Sequence, residues 1–249
     1  MQTKSGTLFI VSTPLGNLED LSLRAAKFLV KIKIIACEDT RRTSLLLNKI
    51  SELFSFPENS SENIKHLLIS FYDQNEIKRT GEILDHLLKG YDVALISDAG
   101  SPLISDPGFF LIREAIKKNI NIDCLPGPSA VITSLQLSGL PTNNFFFLGF
   151  LPDKEEGKKK ILNNLHQTLL FISKTKIAVP SIILYEAPHR FLSTLNLLHK
   201  EFGDISICVC RELTKIHQEV IRKKISELIS FYQKNQILGE ITLVFNTKP

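Results

Sequence analysis

A chain of 249 residues, 43% hydrophobic and 22% charged, has the make-up of a soluble globular protein of one large or two modest domains. No apolar run approaches the length of a membrane span, which argues against a bilayer protein. The net charge of +4 divides unevenly: residues 1–127 carry 15 basic and 16 acidic side chains, residues 128–249 carry 15 and 10, so only the second half favours an anionic partner.

The N-terminus runs from Met1 to Gly6 straight into a short strand-like segment, without a long apolar region and cleavage site, so a cytoplasmic location is expected. Thr7–Ser12 is rich in β-branched and aromatic residues and reads as a strand. Leu21 to Val30 fits a short helix and Ile32–Cys37 a buried strand. A helix begins after Asp39-Thr40 and continues through Leu45–Ile50. Residues 51–66, with Pro57 and several Asn and Ser, read as a surface loop. Leu67–Phe71 is a strand, Ile77–Leu88 a helix closed by Gly90, and Val93–Ile96 a strand. Leu111–Ile116 is helical and Ile120–Leu125 returns as a strand. This alternation predicts a mostly parallel sheet covered on both faces.

Leu125-Pro126-Gly127-Pro128-Ser129 is the expected boundary, separating domains at 1–127 and 128–249. Beyond it come a helix over Ala130–Leu137 and a strand over Phe145–Leu148. Strands at Ile182–Tyr185, Ile205–Val209, Glu219–Arg222 and Glu240–Phe245 then alternate with helices at Lys158–Ser173, Phe191–Lys200 and Ile225–Lys234. More strands per helix here predict a mixed sheet. Cys37, Cys124, Cys208 and Cys210 lie in apolar strand-like runs, and Cys208-x-Cys210 reads as strand rather than clip. No zinc spacing is present, so the four are expected to be reduced core residues and no metal is expected.

The stretch Ser97 to Gly108, SDAGSPLISDPG, suits neither strand nor helix because two prolines remove donors and two glycines raise chain entropy. It follows a strand and precedes a helix, where α/β folds place ligand sites. The other strands of the first half end in comparable loops: Thr13 to Leu18, Glu38-Asp39-Thr40-Arg41, Tyr72 to Glu76 and Pro126 to Ser129. In a parallel sheet these five loops converge on one edge. Neither a Walker lysine loop nor a GxGxxG after the first strand is present, so a phosphate-cradling nucleotide enzyme is disfavoured.

The strings STPLGNLEDLSLRA, ACEDTR, SDAGSPLISDPG, LPGPSA, YEAPHR and RELTK, in that order, resemble the tetrapyrrole-methylase superfamily of S-adenosylmethionine-dependent methyltransferases. Within it they resemble the branch that methylates a cytidine ribose 2′-hydroxyl of small-subunit (16S) ribosomal RNA, in its decoding region. The likeness extends from about Gly6 to Phe245. The first loop reads Pro14-Leu15-Gly16-Asn17 rather than the GPGD of tetrapyrrole enzymes, which favours the RNA branch.

The resemblance implies a two-domain α/β tetrapyrrole-methylase-like fold, with a mostly parallel N-terminal sheet, a mixed C-terminal sheet and the cofactor in the cleft between domains. It implies a homodimer that acts on small ribosomal subunit RNA with S-adenosylmethionine as donor. Cofactor contacts are expected from Pro14, Asp98, Gly100, Ser101, Leu103, Ile104, Ser129 and Ala130, with Tyr185, Glu186 and Leu213 from the second domain. Ser101 stands where the wider family has an aspartate, which leaves Asp98 as the nearest carboxylate. Asn17, Asn75, Glu76, His189 and Arg190 are expected on the substrate side.

A ribose hydroxyl is a poor nucleophile that must lose its proton, so a base is sought among Glu38, Asp39, Asp98, Glu76 and His189. The choice falls on an acid of Glu38-Asp39, with Arg41 orienting it or gripping a phosphate. Asp39-Thr40 fits a helix cap equally well. Lys158-Lys159-Lys160 reads either as a track for RNA backbone or as a solvated helix start. The loop Tyr72 to Glu76 lacks the histidines common in the branch, and many members carry a helical tail beyond the final strand, whereas this sequence ends at Pro249. A corrin-precursor methylase and a non-catalytic cofactor-binding partner of the ribosome are the alternatives.

Overall fold

The computed structural model describes residues 4–54, 65–235 and 237–247. The chain divides into two compact units, Met1–Ser129 and Ala130–Pro249, two residues beyond the boundary expected from the Pro-Gly-Pro turn.

The first unit alternates strand and helix as its periodicity predicts: β1 (Thr7–Val11), α1 (Leu23–Leu29), β2 (Ile34–Cys37), α2 (Thr40–Leu53), β3 (Leu67–Ser70), α3 (Glu76–Leu88), β4 (Val93–Leu95), α4 (Phe109–Lys117) and β5 (Asn121–Leu125). Its sheet has the order β3-β2-β4-β1-β5 and every pairing is parallel. Successive strand residues point to opposite faces, and β2 shows this within four positions. Ile34 and Ala36 join the core under α3 and α4, while Ile35 and Cys37 join the core under α1 and α2. α3 packs through Thr80, Ile83, Leu84 and Leu87, one stripe at helical spacing. The helix after Asp39 continues to Leu53, so residues 51–53 belong to it rather than to a loop; most of the expected 51–66 loop lies outside the described residues.

Cys124 departs from the expected core placement. It lies on β5, at the edge of the sheet with β1 as its neighbour, and is exposed. The other three cysteines are buried, and burial pushes the Cys37 thiol up to about 11, which keeps it protonated. Cys208 and Cys210 lie two apart on one strand, and their Sγ atoms approach to 3.7 Å, closer than the strand reading suggested.

The second unit contains α5 (Ala130–Ser138), β6 (Phe145–Phe150), α6 (Glu155–Ser173), β7 (Ser181–Glu186), α7 (Pro188–Phe202), β8 (Ser206–Arg211), β9 (Glu219–Lys224), α8 (Ile225–Lys234) and β10 (Ile241–Phe245). Its sheet runs β6-β7-β10-β8-β9, with β6 and β7 parallel and the remaining pairs antiparallel, the expected mixed sheet. Pro188 opens α7 at a position where its missing N–H is harmless. Among the described residues no helix is long and apolar enough to cross a membrane.

Candidate active site

In the first unit the five loops gather at the C-terminal edge of the parallel sheet, and hydrogen bonds from backbone and side chains tie them together. Thr13 and Gly100 form a two-way bridge, Thr13 N–H to Gly100 O at 2.8 Å and Gly100 N–H to Thr13 O at 3.1 Å. The buried Thr13 hydroxyl also donates to Ser97 O at 3.0 Å. Ser12 Oγ and Ser101 Oγ lie 3.2 Å apart, and Ser101 Oγ donates to Pro128 O at 2.9 Å. Three strand ends are thereby joined through Ser101. Gly127 allows this approach, since a Cβ there would stand 2.8 Å from Ser12 Cβ.

The loop after β4 stores unusual backbone. Gly100 and Gly108 have positive φ, and so do Leu103 at +73° and Ser105 at +69°, which non-glycine residues rarely adopt. Leu103 turns inward against the unit's core, whereas Ile104 is exposed. Of the two residues expected beneath a cofactor, Ile104 is therefore the one presented outward. Glu76 holds the loop's far end: its Oε1 accepts from Gly108 N–H at 3.0 Å and Phe110 N–H at 2.9 Å, capping α4 from another element. Asn75 closes the preceding turn, accepting from Tyr72 N–H and donating to Ser70 O. Both were expected to face substrate, and both side chains instead build the loops. Replacing Glu76 with Ala is expected to cost about 1–2 kcal/mol by loss of this cap, measured as a shift in the urea midpoint. Asn17 likewise caps a short 3-10 turn, accepting from Glu19 N–H at 3.1 Å.

Glu38 and Asp39, neighbours in sequence, meet opposite environments. Glu38 is half-buried, and burial first, then the charges of Asp106, Asp98 and Asp73, push its carboxyl up to about 7. Asp39 caps α2, accepting from Arg41 N–H at 2.8 Å and pairing with the Arg41 guanidinium at 2.9 and 3.1 Å. Those bonds hold it down near 2. Alternation past the end of β2 separates the two, and one favours the neutral acid while the other stays ionised. Arg41 is extended into solvent; Arg42 instead reaches Asp98, NH1 to Oδ2 at 3.1 Å, and Asp98 Oδ1 accepts from Asp39 N–H at 3.2 Å. A cavity of about 250 Å³ opens beside this pair, its lining including Pro14, Leu15, Leu46, Lys49 and Ile96. Asp73 and Asp106 lie in loops the sequence marks but are not singled out there, and Arg42 and Lys49, on α2, emerge only from the packing.

In the second unit the expected residues cluster around the β7–α7 turn. Tyr185 packs edge-on against Phe147 and tilted against Phe150. Glu186 is 1% exposed. Its Oε1 accepts from Ala187 N–H at 2.8 Å and from Arg190 at 2.7 Å, and its Oε2 from the Thr194 hydroxyl. Lys158, from the triple-lysine run, is buried rather than solvated: its Nζ lies 3.1 Å from Thr194 Oγ1 and 3.9 Å from Glu186 Oε2. Arg190 also pairs with Asp153. Glu186 and Arg190 thus hold this unit together, and His189 is the exposed member of the turn. Leu213 is buried in a turn after β8, flanked by positive φ at Glu212 and Thr214. Among the described residues no group of three or more His, Cys, Asp or Glu is placed to hold a metal ion.

A parallel five-stranded unit and a mixed-sheet unit in one chain form a fold seen in solved methyltransferases. A solved uroporphyrin-III-C-methyltransferase from Thermus thermophilus shares it, with a TM-score of 0.60 at 15% identity over 97% of this chain and 95% of that one. The model of the tetrapyrrole (corrin/porphyrin) methylases matches residues 7–229, and the chain belongs to that family. It is 42% identical over 243 residues to "Ribosomal RNA small subunit methyltransferase I" of Thermotoga maritima, covering 98% of this chain and 99% of that protein. It is 44% identical to the protein of the same name from a Hydrogenobaculum species, covering 96% and 95%.

Proposed function

We propose that this protein transfers a methyl group from S-adenosylmethionine to the ribose 2′-hydroxyl of a cytidine in the decoding region of small-subunit ribosomal RNA. The near-full-length likeness to small-subunit ribosomal RNA methyltransferases carries this reading of the substrate. The excess of positive charge in residues 128–249 is in keeping with an RNA partner. The same reading has it act in the cytoplasm as a homodimer.

The residues present fit the donor. A sulfonium is positively charged, and the charges of Asp73 and Asp106 act at this loop edge, where they reach Glu38. Pro14, Gly100, Ser101, Ile104 and Ser129 of the first unit are the residues proposed to hold it. When bound, S-adenosylmethionine supplies an electrophilic methyl group.

The chain's own part is positioning and proton removal. Loops joined through Ser101 and the Thr13–Gly100 bridge give a rigid floor on which hydroxyl and methyl can be held in line. Glu38, held near 7, is matched to accept the hydroxyl proton at neutral pH. Asp39, near 2, is a poor base and serves as cap and partner to Arg41. His189 is exposed, and Arg41, though paired with Asp39, keeps most of its side chain in solvent, so both can meet RNA phosphate.

Unmodified small subunits, and separately their naked RNA, incubated with the protein and methyl-labelled S-adenosylmethionine are expected to yield alkali-resistant label at one cytidine ribose. Label on neither RNA, while donor binding persists, overturns the reading in favour of a corrin-precursor substrate or a binding module.

A further inference from the structure

We infer that the cavity beside Arg42 and Asp98 in the first unit receives the base of the target nucleotide, and that this ion pair reads its Watson–Crick edge as cytosine. The inference rests on the proposed function and deepens it.

The cavity's size is the first observation. At about 250 Å³ it has room for one planar base. Its walls are the second. Leu15, Leu46 and Ile96 offer apolar surface for a base's faces, and polar groups are concentrated in Arg42, Lys49 and Asp98.

The chemistry of the pair is the third. Arg42 NH1 lies 3.1 Å from Asp98 Oδ2, which places a donor and an acceptor side by side. Asp98 Oδ1 accepts from Asp39 N–H and Oδ2 from Arg42, and a carboxylate oxygen has a second lone pair, so Oδ2 can accept from a base beside Arg42 as well. Cytosine presents an N4 amino donor next to the N3 and O2 acceptors, the complement of that arrangement. Uracil presents an acceptor at O4 and a donor at N3 and would set like against like at both positions. An unpaired nucleotide splayed from its strand exposes this edge, as single-stranded RNA readers require. Lys49 adds a second positive charge for the attached phosphate.

Position agrees with chemistry. Asp98 Oδ1 accepts from the N–H of Asp39, the residue next to Glu38, so a base held by Asp98 lies on the same loop edge as the proposed proton acceptor. This assigns Asp98 to the acceptor nucleotide, where the family resemblance had suggested the donor. Adenine carries a similar donor-acceptor edge, which makes the donor's adenine the competing occupant.

The test uses small subunits assembled with either cytidine or uridine at the target position, and Arg42→Gln and Asp98→Asn variants of the full chain. Wild type is expected to methylate the cytidine particle and discriminate against uridine. In Arg42→Gln the cytidine-over-uridine ratio of kcat/KM is expected to fall roughly ten-fold or more. S-adenosylhomocysteine binding, measured by calorimetry, is expected to stay within about two-fold of wild type, since an exposed edge residue of the base site leaves the donor site intact. In Asp98→Asn the amide oxygen can keep the bond from Asp39 N–H, which leaves an amino group facing the cavity, so the preference is expected to move toward uridine. Equal slowing of both particles, with the ratio unchanged, overturns the inference in favour of a phosphate grip. Loss of S-adenosylhomocysteine binding in Arg42→Gln overturns it in favour of the donor. Wild type that labels neither particle sinks the proposed function itself, and the inference with it.

Discussion

Replacing Glu38 with Gln is expected to lower kcat by about 10²- to 10⁴-fold, the usual contribution of a positioned general base. Its carboxyl sits near 7 because it is half-buried among Asp106, Asp98 and Asp73. Only the ionised form accepts a proton, so wild-type kcat/KM is expected to rise about ten-fold per pH unit below 7 and to level above it. The Gln variant loses that rising limb. A profile that keeps the limb after substitution would remove Glu38 from the mechanism.

The same shift makes a second claim, on stability. Glu38 moves from an ordinary value of 4.5 to about 7 on folding. Its contribution is therefore fully present below about 4.5 and lost as pH rises through 7, because the native state then holds a charge it prefers to discharge. At pH 8 Glu38→Gln is expected to be more stable than wild type, by about 1–2 kcal/mol after allowance for solvent access to a half-exposed group. At pH 4 the two are expected to unfold at nearly the same urea concentration. A catalytic loss joined to a gain in stability is what a base kept in an unfavourable setting predicts.

Substitution of Glu186 by Gln is expected to destabilise the second unit by about 3–5 kcal/mol, the range for breaking a buried ion pair from one side. Lys158 and Arg190 would be left with their charges facing a neutral amide, their side chains only 4% and 11% exposed. Asp153 still balances Arg190, so Lys158 bears most of the loss. Urea unfolding followed by far-UV circular dichroism measures the change. The joint replacement Lys158→Met with Glu186→Leu is expected to recover part of it, since removing both partners leaves no lone charge in the interior. A Glu186→Gln loss below about 1 kcal/mol would show that the network behaves as a surface pair.

These two carboxylates mark where local reading stops. The order of strands and helices follows from apolar periods of two and 3.6 and from Gly and Pro punctuation, all set within a few residues, and the structure reproduces that order from Thr7 to Phe245. The convergence of five loops follows from parallel strands alone. Helix caps were legible too, for Asp39 bonds its own neighbours and its role needs no distant partner.

What a side chain becomes when a distant element packs on it was not legible. Lys158 belongs to a run of three lysines, and only the packing of α6 against α7 brings it beside Thr194 and Glu186. Glu76 looked available to substrate until α4 placed two unsatisfied N–H groups over it, 32 and 34 residues away. Arg41 and Arg42 are the same residue type one position apart, and one pairs with its near neighbour Asp39 while the other reaches Asp98 on a different loop.

The sequence by itself therefore determined the fold class, the family and the loops that gather at one edge of the parallel sheet, because these depend on short-range geometry and on long matching strings. The tertiary structure decided which of two adjacent acids, Glu38 or Asp39, holds a proton near neutrality. That depends on burial and on the charges of Asp73, Asp98 and Asp106. Those charges come from other loops, and only the closed sheet brings them to one edge.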